Sequence, residues 1–158
     1  MSFRRRGFAL AELMVVVTII GILARIALPK YQRIRIKARA AAIITDMNVI
    51  KGAAYMSLEN TGKWPLDAAV GKVPTELTKL LPNGMNWVKD KSTSYDWRLT
   101  GMTGGNPAVA TASTSMGMGV STTDATLFAE LQKQLAKQPT FVSGTSIYWL
   151  IWGPTTKP

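Results

Sequence analysis

The chain has 158 residues, enough for one domain, with a formal charge of +10. It contains no cysteine, which excludes a disulfide framework and thiolate metal sites. It also contains no histidine, the commonest general base and metal ligand, so most hydrolytic, redox and zinc chemistries fall away.

The charge is unevenly placed. Arg4, Arg5 and Arg6 precede a dense apolar block, Phe8 to Leu28, and Lys30, Arg33, Arg35, Lys37 and Arg39 follow it. A basic excess of this kind can serve anionic lipid, nucleic acid or an acidic partner. The block is 21 residues long and its only charges are Glu12 and Arg25. As a helix it spans roughly 31 Å, the hydrocarbon thickness of a bilayer. A removed signal peptide would have a shorter apolar core ending at a small-residue cleavage site. This block ends instead in Leu28-Pro29 and runs directly into basic residues, which favours a retained membrane anchor. Glu12, one turn inside the block, costs a few kcal/mol in lipid unless it is paired, protonated or reaches the interface. Arg25, three residues from the block's end, either reaches the outer headgroups or meets an acidic group in an assembly.

Arg6-Gly7-Phe8-Ala9-Leu10-Ala11-Glu12-Leu13-Met14-Val15-Val16, with Ile20-Gly21-Ile22-Leu23-Ala24 and Pro29-Lys30-Tyr31-Gln32 further on, resembles the prepilin processing motif of type IV pilins and type II secretion pseudopilins. The likeness covers about the first 32 residues. It implies that a membrane aspartyl peptidase cuts between Gly7 and Phe8 on the cytoplasmic side and that the new Phe8 amine is methylated. Gly7 suits the cut because no side chain blocks approach to its backbone. The resemblance also implies that Glu12 pairs with the Phe8 ammonium of a neighbouring subunit, two charges costly alone in lipid becoming tolerable together. Without its leader the chain would carry 16 basic and 9 acidic residues, a net of about +7. Two positions depart from the usual pattern: Ala11, where a larger aliphatic is common, and Arg25, where the helix is normally apolar. Charge counting alone would put the more basic flank, after Pro29, in the cytoplasm. A cytoplasmic leader requires the opposite, so the resemblance sets the orientation.

Beyond the block, Pro29 predicts a kink in a continuing helix rather than its end. Ile36, Ala40, Ile43, Met47, Ile50 and Ala54 recur at alternating spacings of four and three, one apolar stripe. Ile34, Ala41, Val49, Ala53 and Met56 populate other faces. Glu59-Asn60-Thr61-Gly62 carries the terminating signal. Gly62-Lys63-Trp64-Pro65 then resembles the turn after the long helix of pseudopilins, with Trp64 expected as a core aromatic. Residues 74–82 predict a short helix between prolines, and Tyr95 to Thr100 alternates as a half-buried strand. Residues 101–123 read as a surface loop or, slightly favoured, a hairpin of weak strands at Ala108–Ala112 and Ser115–Val120. Thr123-Asp124 opens a helix running to Gln138, with Leu127, Phe128, Leu131 and Leu135 on one face. Ser146 to Trp152 is the strongest strand signal and should lie inside the sheet.

The expected fold is α+β: a long N-terminal spine helix, kinked near Pro29, packed on a small antiparallel sheet of about three or four strands. Its divisions are a leader at 1–7, a transmembrane assembly half-helix at 8–28, an amphipathic half-helix at 29–61 and a head at 62–158. No phosphate loop, paired carboxylates, nucleophile elbow or dense acidic cluster appears, so neither enzyme activity, cofactor nor metal is expected. The expected partners are copies of itself and other pilins, the prepilin peptidase, an inner-membrane assembly platform and lipid, with Arg25, Lys30 and Arg33 at the membrane interface. The head would be periplasmic before assembly and part of a pilus or pseudopilus after it. The rival reading is a DNA-binding minor pilin. It rests on the basic run from Lys30 to Arg39 and on the interleaved Trp87, Lys89, Lys91, Tyr95, Trp97 and Arg98.

Overall fold

A computed structural model describes residues 10–83, 85–100 and 115–152. The first element, α1, is a single helix over Leu10–Thr61 that runs through Pro29. A proline removes one backbone bond, and the rest of the ladder carries the helix onward. The chain divides into two units at Ile36/Lys37. In the first, α1 exposes its apolar side chains: Leu13, Val17, Ile20, Leu23 and Ile26 are each more than half exposed.

In the second unit the apolar stripe is the core face of α1. Ala40, Ile43, Met47, Ile50, Ala53, Ala54 and Ser57 are buried, while Val49 and Met56 point outward. Ala53, read as part of another face, sits beside Ala54 on the buried side. Gly62 ends the helix as expected, with φ +68 and its N–H donating to the Leu58 carbonyl at 2.7 Å. A side chain there would be strained, whereas glycine adopts this conformation freely.

Among the described residues the sheet has five strands in the order β1-β2-β3-β5-β4, all neighbours antiparallel. They are β1 (Val88–Asp90), β2 (Thr93–Thr100), β3 (Ser115–Thr122), β4 (Thr140–Ser143) and β5 (Ser146–Trp152). A second helix, α2 (Ala125–Leu135), lies between β3 and β4 in sequence. Its N-cap is Asp124, whose carboxylate accepts from the backbone N–H groups of Thr126 and Leu127. Leu127, Leu131 and Leu135 of α2 join the stripe of α1 and the inner sheet residues Tyr95, Trp97, Met116, Met118, Val120, Ile147 and Trp149 in one core.

Several expectations are corrected. The short helix of residues 74–82 is a 3₁₀ turn, Thr75–Leu77, followed by a further turn in which the Leu81 N–H donates to the Leu77 carbonyl at 3.0 Å. The second helix stops at Leu135, short of Gln138. Among the described residues the sheet has five strands rather than three or four, because the short edge strands β1 and β4 carry too few residues to show a period. β3 is a central strand paired with β2 and β5; the expected strand at 108–112 lies outside the described residues. β2 is buried on both faces from Tyr95 to Trp97, so alternation understated its burial. Trp64 is a core aromatic, as expected, edge-on to Tyr55 at 5.3 Å. β5 lies inside the sheet, also as expected.

Candidate assembly surface and the ties that hold the head

The candidate site is the exposed N-terminal stretch of α1. Its 18-residue apolar window has a mean hydropathy of 2.2 and no buried residue, which meets the length and composition of a membrane span. Glu12 lies in the first turn of the described helix, ringed by exposed Leu13, Val15 and Val16. Arg25, Lys30 and Arg33 are exposed along the same helix. Gly7 and Phe8 fall outside the described residues. The site is thus a surface rather than a pocket: a helix able to bury its apolar faces against lipid or other helices.

The head end of α1 is held by two groups of charged side chains. Arg39 reaches across to Asp90 at the end of β1, with its Nη2 also donating to Thr93 Oγ1 at 3.0 Å and Ser92 Oγ at 3.3 Å. Its Nη1 donates to Asp124 Oδ2 at 3.2 Å. One guanidinium therefore joins α1, the β1–β2 hairpin and the N-terminus of α2. The Ser92 hydroxyl, its backbone N–H and the Arg39 charge hold the Asp90 carboxyl below its usual range. The Thr126 hydroxyl, the Leu127 and Thr126 N–H groups and Arg39 do the same for Asp124. About two turns on, Asp46 accepts from the Tyr95 hydroxyl at 2.7 Å and pairs with Lys89. Burial, then the neighbouring Asp46, pushes the Tyr95 hydroxyl well above its usual pKa.

On the opposite sheet face Asp96 is fully buried. Its Oδ2 accepts from Tyr148 Oη at 2.7 Å and Arg98 Nε at 2.9 Å. The Tyr148 ring reaches it by lying flat across Gly119, where an added Cβ would meet Tyr148 Cε1 at 2.5 Å. Phe141 stacks on Tyr148 at 5.1 Å.

Three sequence expectations change here. Arg39 ends the basic run on which the DNA-binding reading rests, but its charge is paired with two carboxylates of the head. Asp90 and Asp124, apparently scattered, converge on it. In the DNA-binding reading Trp87, Tyr95 and Trp97 were to stack on bases, yet all three are buried at 2% exposure or less. Lys89 and Arg98 are paired with Asp46 and Asp96. The interleaving of aromatic and basic residues is the two faces of a strand, not a stacking platform. No signal in one sequence could have found the Arg39 junction, because its carboxylates lie 51 and 85 positions away.

Residues 2–27 match the family described as the prokaryotic N-terminal methylation motif. The chain is 38% identical over 80 residues to the type IV major pilin protein PilE1 of Neisseria gonorrhoeae, covering 49% of this chain and 48% of the relative. It is 39% identical over 69 residues to the fimbrial protein EcpC of Eikenella corrodens, covering 44% and 45%. With a fimbrial protein of Pseudomonas aeruginosa the identity is 44% over 54 residues, covering 34% and 35%. The matches thus span less than half the length of these relatives, and no solved structure matches the chain. The chain thus carries a methylation motif at the start of a long apolar helix, has an antiparallel sheet packed on that helix's far end, and is similar over about half of its length to type IV pilins.

Proposed function

We propose that this chain is a structural subunit of a type IV pilus, made as a membrane-anchored precursor and polymerised through the exposed half of α1. The observation that carries the reading is the apolar stretch from Leu10 to Leu28, none of it buried, a larger exposed apolar surface than a soluble monomer ordinarily carries. Cleavage between Gly7 and Phe8 by a prepilin peptidase, followed by methylation of Phe8, agrees with the motif at residues 2–27. Before assembly residues 8–28 cross the inner membrane and the head stands in the periplasm. Arg25, Lys30 and Arg33 then meet the outer headgroups. Glu12 pairs with the Phe8 ammonium of a neighbour, and Pro29 gives the helix a place to bend as it leaves the bilayer. Relatives named as major pilins favour a pilus over a secretion pseudopilus. The subunit is structural rather than enzymatic.

Mass spectrometry of subunits sheared from cells tests this reading. A mature chain beginning at Phe8 with one added methyl group is expected. Filaments built from chains that retain Met1 would overturn it.

A further inference from the structure

Glu12 and Arg25 are the only charged residues between Phe8 and Leu28, and they are opposite in sign. They cannot meet within one chain. Both lie on α1, and positions 12 and 25 are thirteen residues apart. A straight helix therefore separates them by roughly 20 Å along the axis and about 220° around it. Arg25 is exposed amid apolar neighbours, with Ile22 60% and Ile26 68% exposed. In the membrane its guanidinium can reach headgroups, but a filament drawn out of the bilayer has none. A guanidinium keeps its charge under any physiological condition, so it requires an anion there. Between Phe8 and Thr45 the only acidic residue is Glu12. The next, Asp46, is already held by Lys89 and Tyr95.

We propose that Arg25 of one subunit binds Glu12 of a second, parallel copy displaced by thirteen residues along the helix axis, an interaction that rests on the filament reading above. A carboxylate accepts several hydrogen bonds at once, so Glu12 can hold Arg25 together with other donors. The Phe8 ammonium, four positions from Glu12, comes from a copy at a different stagger and hence from a different neighbour. Because Glu12 and Arg25 lie on nearly opposite sides of α1, a subunit gives Arg25 to one copy and receives Arg25 from another. A parallel two-fold dimer, in which Glu12 stands level with Glu12, satisfies neither. The contact is heterologous and does not close, which is the symmetry of a filament.

The absence of native cysteine makes the stagger directly measurable. One turn beyond the charged pair on both chains, the displacement brings Val16 of one copy level, within one residue, with Leu28 of the other on the same side. Within one chain these positions stand about 18 Å apart, too far for a disulfide. Filaments of Val16→Cys/Leu28→Cys, treated with an oxidant, are expected to give a ladder of disulfide-linked multimers that neither single variant gives. Assembled filaments of the double variant without linked multimers would overturn the proposal. Should that variant not assemble, Arg25→Gln and Arg25→Lys decide. Sheared filament mass is expected to fall at least tenfold in Arg25→Gln and to be largely kept in Arg25→Lys. Wild-type yield from Arg25→Gln would overturn the proposal. A wild-type chain that forms no filament would instead remove the underlying reading, and this inference with it.

Discussion

At the scale of single residues, the head depends on a few polar groups whose positions leave little freedom. Gly119 is one, since the Tyr148 ring occupies the space a Cβ would take. Gly119→Ala should push that ring away and leave the buried Asp96 carboxylate with one donor fewer. The expected cost is about 2–3 kcal/mol of unfolding free energy, from overpacking and lost hydrogen bonding together. Denaturant melts compared with wild type check it; a change under about 0.5 kcal/mol, the range of an ordinary surface substitution, would mean the ring is not confined. Arg39 is the other. The carboxyls of Asp90 and Asp124 both titrate lower in the folded head than in the unfolded chain. Their contribution is therefore complete at neutral pH and down to their unfolded value near 3.8, and is lost as pH falls through the lower folded values. Thermal midpoints should thus drop below about pH 4. In Arg39→Met the unfolding free energy at pH 7 should be lower by about 1 kcal/mol, the pairs being partly exposed and screened by solvent, with a smaller further loss on acidification. An unchanged acid profile in that variant would show that Arg39 does not contribute to it.

At the scale of elements, α1 performs two tasks along one continuous length. Met47 is fully buried in the head core, whereas Met56, little more than two turns later, is 52% exposed. Met47→Ala should destabilise the head by about 2–5 kcal/mol through the cavity it leaves, while Met56→Ala should change it by less than about 0.5. Melting curves of the two variants in the same detergent compare them directly. The stripe that separates these positions was legible in the sequence because a 3.6-residue period survives single exceptions such as Ala53. β3 was far less legible. Its alternation of Met116, Met118 and Val120 with Gly117 and Gly119 lowers strand propensity, yet those glycines admit the Trp149 backbone and the Tyr148 ring. What looked like a weak strand is the centre of the sheet, because the neighbours that reward its glycines are contributed by β5. The edge strands β1 and β4, of three and four residues, hold no readable pattern.

At the scale of the whole molecule, the N-terminal resemblance was more legible than the head's detail. The methylation motif and the apolar span lie within one short local stretch, where spacing alone carries meaning. The ties between α1 and the sheet depend on long-range convergence, and the local run from Lys30 to Arg39 gave no sign that Arg39 is paired within the head. If the filament reading is right, Glu12→Ala should be processed at Phe8 like wild type but enter filaments at least tenfold less efficiently, since an uncompensated Phe8 ammonium in an apolar interior costs several kcal/mol. Shearing followed by quantitation of filament and membrane fractions measures this. Equal filament yield would remove Glu12 from assembly.

The continuity of α1 across the division at Ile36/Lys37 has a mechanical consequence. The helix that carries the exposed stretch is the same helix whose residues from Ala40 to Ser57 form one side of the head core. Tension along its axis is therefore borne in shear, by all the buried turns together over roughly 27 Å, rather than by opening one contact after another. Arg39 stands at the edge where that load enters, bonded to β1 and α2 at once. A pulled subunit should yield by sliding α1 along the sheet, and only after the Arg39 bonds to both carboxylates have given way.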